Sequence, residues 1–270
     1  MRSIVRLAIT AMAVTALAIY GPANVPASAG PSPAAVVPHG PPGSWTLAWA
    51  DEFSGSSVDQ RKWQPNWLGV NNTMSTPPVN TAELSCYDPR QDTVSGGALH
   101  LAVVRRSCLG WQYASGLVNT RNTFNFTYGY AEARMFLPHT ASGACTDWPA
   151  FWLNGYDGNP IEEVDVMECL DGDVEWVYHY AGYTKRVLHL SPAWHQSMPR
   201  TPSGWHTFGV DWEPGSLTFY FDGVSQGSTA QAATHPHYVI ANLAVSTVIS
   251  PPVRAPQTVG VDYVRVFKKK

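Results

Sequence analysis

Along residues 129–138, GYAEARMFLP, apolar and polar positions alternate. Tyr130, Glu132, Arg134 and Phe136 fall on one face, and Ala131, Ala133, Met135 and Leu137 on the other. The same period of two runs through SLTFYFDG at 216–223, where Leu217, Phe219 and Phe221 oppose Thr218, Tyr220 and Asp222, and Asp222-Gly223 supplies a hairpin turn. ALHLAVV at 98–104 and VGVDYVRVF at 259–267 read as further strands. No long segment holds a 3.6-residue period, and turn residues recur about every ten positions. The pattern predicts an all-β fold, a β-sandwich in which two sheets bury a core between them. The face with Tyr130, Glu132 and Arg134 is both aromatic and charged. That suits a sheet face open to a groove and makes Glu132 and Arg134 candidates for ligand contact.

One stretch breaks the alternation. In EEVDVMEC, 162–169, a regular strand would put Glu163 and Asp165 on one face with Val164 and Val166 on the other, then aim Glu168 at the core and Met167 outward. One extra residue, a β-bulge near Val166–Met167, restores sense: Glu168 joins the acidic face and Val164, Val166 and Met167 stay on the apolar side. Three carboxylates on one face repel one another and raise each other's proton affinity, which a fold tolerates for a purpose. Two glutamates on one wall of a groove are the minimum apparatus for cleaving a glycosidic bond, one attacking the anomeric carbon and the other protonating the departing oxygen. They lie about four strand steps apart, roughly 13 Å along the backbone, and long side chains leaning inward can approach the ~5–5.5 Å separation of a retaining site. Asp165 between them can hydrogen-bond the nucleophile and help keep a neighbour protonated.

The chain's ends and composition narrow the setting. Residues 1–29 carry Arg2 and Arg6, an apolar run from Leu7 to Tyr20 and Ala27-Ser28-Ala29, the layout of a secretory signal peptide. Residues 30–43, GPSPAAVVPHGPPG, read as a linker, and 44–270 as one domain. The expectation is a secreted, extracellular monomer, with no membrane association once the signal is removed. Net charge is −3 with no basic stripe, which argues against nucleic acid as a partner. Four cysteines in an exported chain predict two disulfides; of the three possible pairings, proximity in sequence favours Cys86–Cys108 and Cys145–Cys169. His235 and His237 in THPHY read as part of an exposed loop. No G-x-S-x-G elbow, H-E-x-x-H helix or glycine-rich nucleotide loop is present.

EVDVME at 163–168 resembles the E-x-D-x-x-E signature of glycoside hydrolase family 16, jelly-roll enzymes that cleave β-glucans and galactans, in the bulged form of its laminarinases. ADEFSG at 50–55, TYGYAEARMFLP, DWPAFWLNG, HTFGVDWEPGSLTFYFDG and VDYVRVF resemble further strands of that family, from about Leu47 to Phe267. The resemblance implies a jelly roll with a concave substrate cleft. It makes Glu163 the nucleophile, Glu168 the general acid/base and Asp165 the assisting carboxylate. It also implies that Trp148 and Trp152 line the cleft, that His179 in VYHYAG stands beside the acids, and that Asn242 in ANLAV lies near them. No cofactor is required and the catalytic centre takes no metal; a structural calcium on the side away from the cleft is possible by resemblance. The chain departs from the pattern at Glu162, where glycine is common, at Ala82-Glu83-Leu84-Ser85, where Asn-Glu-Leu-Gln is common, and at Ser246-Thr247, where Gly-Gly is common. These positions bear on how the sugar chain is gripped.

The expected activity is therefore that of a retaining endo-β-glycosidase acting on β-1,3-glucan. The alternatives are hydrolysis of a β-galactan of the agar or carrageenan type, transglycosylation, and, in a different class, a polysaccharide-binding module without catalysis. Fold alone does not separate enzyme from binding module. Retention of both glutamates favours the enzyme.

Overall fold

In a computed structural model, residues 36–140, 143–156, 162–180, 183–190, 204–249 and 252–270 are described; the signal-like segment lies outside them. They form two stacked antiparallel-dominated sheets. The larger, ten-stranded sheet contains β1 (Trp45–Asp51), β2 (Ser85–Tyr87), β3 (Asp92–Ser95), β4 (Ala98–Val104), β5 (Tyr113–Ser115), β7 (Gly129–Phe136), β12 (Trp205–Glu213), β13 (Ser216–Phe221), β14 (Val224–Thr229) and β16 (Gln257–Lys269). The smaller, six-stranded sheet runs in the order β11 (Tyr183–Leu190), β10 (Asp173–Tyr180), β9 (Glu163–Leu170), β8 (Trp148–Gly155), β15 (His237–Ala244), β6 (Leu117–Asn119). Strands distant in sequence lie side by side, as in β8 beside β15 and β7 beside β16.

Each predicted strand is present, and its apolar face is the core face. Ala131, Ala133, Met135 and Leu137 from β7 and its end, Leu217, Phe219 and Phe221 from β13, and Val259, Val261, Val264 and Val266 from β16 are buried together with Phe151, Leu153, Val164, Trp176 and Val239 of the smaller sheet. Asp222 (φ 46°) and Gly223 (φ 78°) both take the left-handed backbone that a tight hairpin between β13 and β14 requires. Both disulfides pair as favoured, Cys86 with Cys108 and Cys145 with Cys169.

The opposite face of β7 is not open. Tyr130 and Glu132 are fully buried, because residues 36–43, expected to be linker, lie against this outer face of the larger sheet. The His39 backbone N–H donates to Glu132 Oε2 (2.8 Å), and the Tyr130 hydroxyl donates to the His39 carbonyl (2.9 Å). Arg265 reaches within 3.8 Å of Glu132 Oε1 while gripping Glu52 through two hydrogen bonds of 2.8 Å. Arg134 pairs with Asp262 at 2.6 Å and lies over the Trp205 ring. Glu132 and Arg134 thus belong to a salt-bridged outer layer rather than to a groove. His237 is likewise buried, not exposed: its ring packs edge-on against Trp212, and its backbone bridges to Phe126.

Candidate functional site

The acidic strand is bulged where the spacing demands it. Along β8, Phe151 pairs with Met167 and Trp152 with Asp165, so Val166 has no partner of its own. Along β10, Glu175 pairs with Glu168 and Val177 with Asp165, so Trp176 faces two residues. Val164, Val166 and Met167 are all fully buried in the core. A bulge forfeits roughly one ladder hydrogen bond, about 1 kcal/mol net. Burying an apolar side chain of this size contributes ~1.5–3 kcal/mol, whereas a carboxylate turned into the core costs several kcal/mol or takes up a proton. The irregular strand is the stable one.

The face of the smaller sheet turned away from the core floors a cleft of about 390 Å³. Glu163, Asp165 and Glu168 from β9, Trp148, Ala150 and Trp152 from β8, and Asn242 and Ala244 from β15 line it. Period-two alternation on β8 explains its share: Phe151 and Leu153 enter the core, so Trp148, Ala150 and Trp152 project outward. His179 on β10 comes from the neighbouring strand, its Nε2 3.2 Å from Asp165 Oδ2 and 3.6 Å from Glu163 Oε1. The cleft thus gathers Glu163, Asp165, Glu168, Trp148, Trp152 and Asn242, with His179 at its edge. Glu132 and Arg134 sit on the other sheet.

Two indoles are fixed by the polar groups they hold. Trp148 Nε1–H donates to Glu168 Oε1 at 2.9 Å. Trp152 Nε1–H donates to Asn242 Oδ1 at 2.8 Å, and Asn242 Nδ2 donates in turn to the Tyr87 hydroxyl at 3.1 Å. Trp67 stacks on Trp152, ring centres 5.7 Å apart. Val79, Asn80 and Glu83, from the segment before β2, complete the wall. Sequence reasoning missed Trp67, Val79, Asn80 and Tyr87 as site residues, since they sit outside any long periodic strand. It flagged Glu83 only as part of an altered tetrapeptide.

The acids hold their protons jointly. Burial, then the charge of Asp165, pushes Glu163 up to about 8, with Glu168 adding to the rise and His179 opposing it. Burial, then Glu168, pushes Asp165 well above the carboxylate range. Three carboxylates so placed do not all ionise at neutral pH, and their titration belongs to the cluster. Glu163, Asp165 and His179 are also the one trio among the described residues whose ligand atoms are close enough to share a metal ion. On the outer face of the larger sheet, Glu52 and Asp262 are paired with Arg265 and Arg134.

With this geometry established, comparison with known proteins gives a consistent picture. The model of the family "Glycosyl hydrolases family 16" matches residues 78–265. A glucan endo-1,3-beta-glucosidase A1 of Niallia circulans is 29% identical over 262 residues, covering 83% of this chain and 38% of that protein. An endo-1,3-1,4-beta-glycanase of Rhizobium meliloti is 32% identical over 163 residues, covering 58% of this chain and 34% of that protein. The chain therefore spans little more than a third of the length of these relatives. Among solved structures, the endo-beta-1,3-glucanase of Pyrococcus furiosus superposes with a TM-score of 0.68 at 26% identity, covering 86% of this chain and 98% of that one. The laminarinase catalytic domain of Thermotoga maritima gives 0.67 at 25%, covering 84% and 99%.

Proposed function

The chain belongs to glycosyl hydrolase family 16, and from that premise we propose that residues 44–270 form a secreted, monomeric, retaining endo-β-1,3-glucanase. The observation that carries the reading is the bulge in β9, which brings Glu163 and Glu168 to one wall of one cleft. The names of the relatives, which act on 1,3- and 1,3-1,4-linked glucans, supply the substrate class. Two disulfides are compatible with export, and no helix among the described residues is long and apolar enough to cross a membrane.

In the first step Glu163 attacks the anomeric carbon as a carboxylate, and the bond from that carbon to the leaving oxygen breaks. Glu168 gives that oxygen its proton. Trp148 Nε1–H can only donate, so the Glu168 oxygen it contacts, Oε1, must accept, and the transferable proton rides on Oε2. In the second step Glu168, now ionised, takes a proton from water. The water oxygen attacks the same carbon and frees Glu163, so configuration is retained. His179 beside Glu163 and Asp165 favours the ionised nucleophile, and Asp165, pushed well above the carboxylate range, keeps its proton and so withdraws the charge that would raise Glu163. The indoles of Trp148 and Trp152 form an apolar wall beside the acids.

The test is release of new reducing ends from laminarin, mixed-linkage β-glucan, agarose and carrageenan, with Glu163→Gln in parallel and the anomer formed first read by proton NMR. Laminarin should be cleaved to β-anomeric products, and Glu163→Gln should lose roughly four orders of magnitude or more in kcat. Cleavage of agarose or carrageenan alone would give the galactan reading. Retention on laminarin without cleavage would give the binding module.

A further inference from the structure

The cleft holds one carboxylate that this mechanism leaves idle. Glu83 is 4% exposed and lines the cleft, and its Oε2 is buried without a hydrogen-bond partner. The rest of the carboxyl is met by the Tyr87 hydroxyl, by the Val79 and Asn80 backbone N–H groups and by a long contact from Asn80 Nδ2, 3.4 Å. Its place is fixed by the backbone: the Leu84 N–H donates to the Val245 carbonyl (2.9 Å), just past the end of β15, so the segment cannot swing away without breaking that bond.

The direction of the neighbouring hydrogen bonds shows what Glu83 faces. Indole N–H groups donate and never accept, so Asn242 must turn its oxygen to Trp152 and its NH₂ to Tyr87. The Tyr87 hydroxyl, already accepting from Asn242, has its own hydrogen to direct elsewhere. The Glu83 carboxylate lies beside it, and the two shift each other's proton affinities. A one-way relay thus runs from Trp152 through Asn242 and Tyr87 toward Glu83. The carboxylate at its end has acceptor capacity left over, and burial pushes it up to about 7. A buried acceptor without a donor is costly until a ligand brings one. β9 and β15 flank β8, so they are two strand spacings apart, ~10 Å. Glu83 therefore meets a sugar beside the bond being cut rather than the bond itself.

We propose that Glu83 is a specificity-determining residue, whose Oε2 accepts a hydrogen bond from a hydroxyl of the glucosyl unit adjacent to the cleaved bond. This rests on the glucanase reading above. It gives the cleft two acidic functions, one that breaks bonds and one that recognises the chain.

Calorimetric titration of the full chain with β-1,3-linked glucotetraose separates the two ideas. Glu163→Gln serves as the non-hydrolysing parent, and Glu83→Leu or Glu83→Gln is added to it. Leucine removes the acceptor and leaves the buried Tyr87 hydroxyl without one, so the protein should melt lower than its parent while binding weakens tenfold or more. Glutamine keeps the shape and an acceptor for Tyr87 but gives up the charge, and should weaken binding about fivefold. If the leucine variant fails to fold, the glutamine variant decides. In the enzyme with Glu163 intact, Glu83→Gln should raise KM on laminarin with kcat held within about threefold, a split that a merely structural role would not produce. Binding within twofold of the parent for the folded variants would overturn the proposal and leave the glucanase reading standing. No binding of the tetraose to Glu163→Gln itself would overturn both.

Discussion

Two strands of this sandwich put acids on their outward faces, and their fates differ. On β9, Glu163, Asp165 and Glu168 face a cleft, where they stand with a histidine and an indole. On β7, Glu132 projects from the other sheet and is covered by residues 36–43 and met by Arg265. Burial raises the proton affinity of Glu163 to about 8 and that of Glu132 to about 7. A perturbed carboxylate is thus no marker of function by itself. What separates the two is whether a substrate-sized space adjoins the group.

The sharpest way to break the comparison is to remove Glu168, the proposed proton donor of the cleft. Glu168→Ala should slow laminarin cleavage by about 10²–10⁴-fold, whereas an aryl glucoside with an activated leaving group, which needs no protonation, should form the glycosyl-enzyme at a rate much nearer the parent's. Equal losses on both substrates would remove Glu168 from the acid/base role.

The outer acid should behave oppositely. Glu132→Gln should leave kcat and KM on laminarin within about twofold and change stability instead. The raised proton affinity of Glu132 means that its stabilising protonated form is fully present below about 4.5 and is lost as pH rises to about 7. The parent should therefore weaken across that window, and the variant should gain roughly 3 kcal/mol over it at pH 8 and nothing at pH 4. Melting curves at the two pH values check this, and a gain equal at both would refute the linkage.

Smaller effects sharpen the catalytic side. Asp165 raises Glu163 and His179 lowers it, so the acidic limb of kcat/KM should move to lower pH in Asp165→Asn and to higher pH in His179→Gln, by about one unit each. Movement in the same direction would mean that the limb belongs to another group.

Much of this was legible in sequence because it is local. Alternation placed Ala131, Ala133 and Met135 in the core, and one misplaced glutamate located the bulge. What was not legible depends on residues far along the chain. Glu132 is read identically whether its face meets solvent, a groove or a covering segment; the answer lay 93 residues upstream, at His39. His237 looked like a loop residue because Trp212, which encloses its ring, stands in a strand of the other sheet. Trp67, stacked on Trp152, and Tyr87, bonded to Asn242, support the cleft wall from short segments, where no period announces a direction.

The Cys145–Cys169 cross-link sets a condition on when this protein can work. Cys169 directly follows Glu168, so the strand bearing this glutamate is tethered within one residue of it, across a separation of 24 positions. Closing a loop of that size removes ~3 kcal/mol of freedom from the unfolded chain. A molecule held in a reducing compartment lacks that tether. Thiol reagents should accordingly depress turnover at temperatures where the sheets still give their full circular-dichroism signal, and undiminished turnover there would count against the idea.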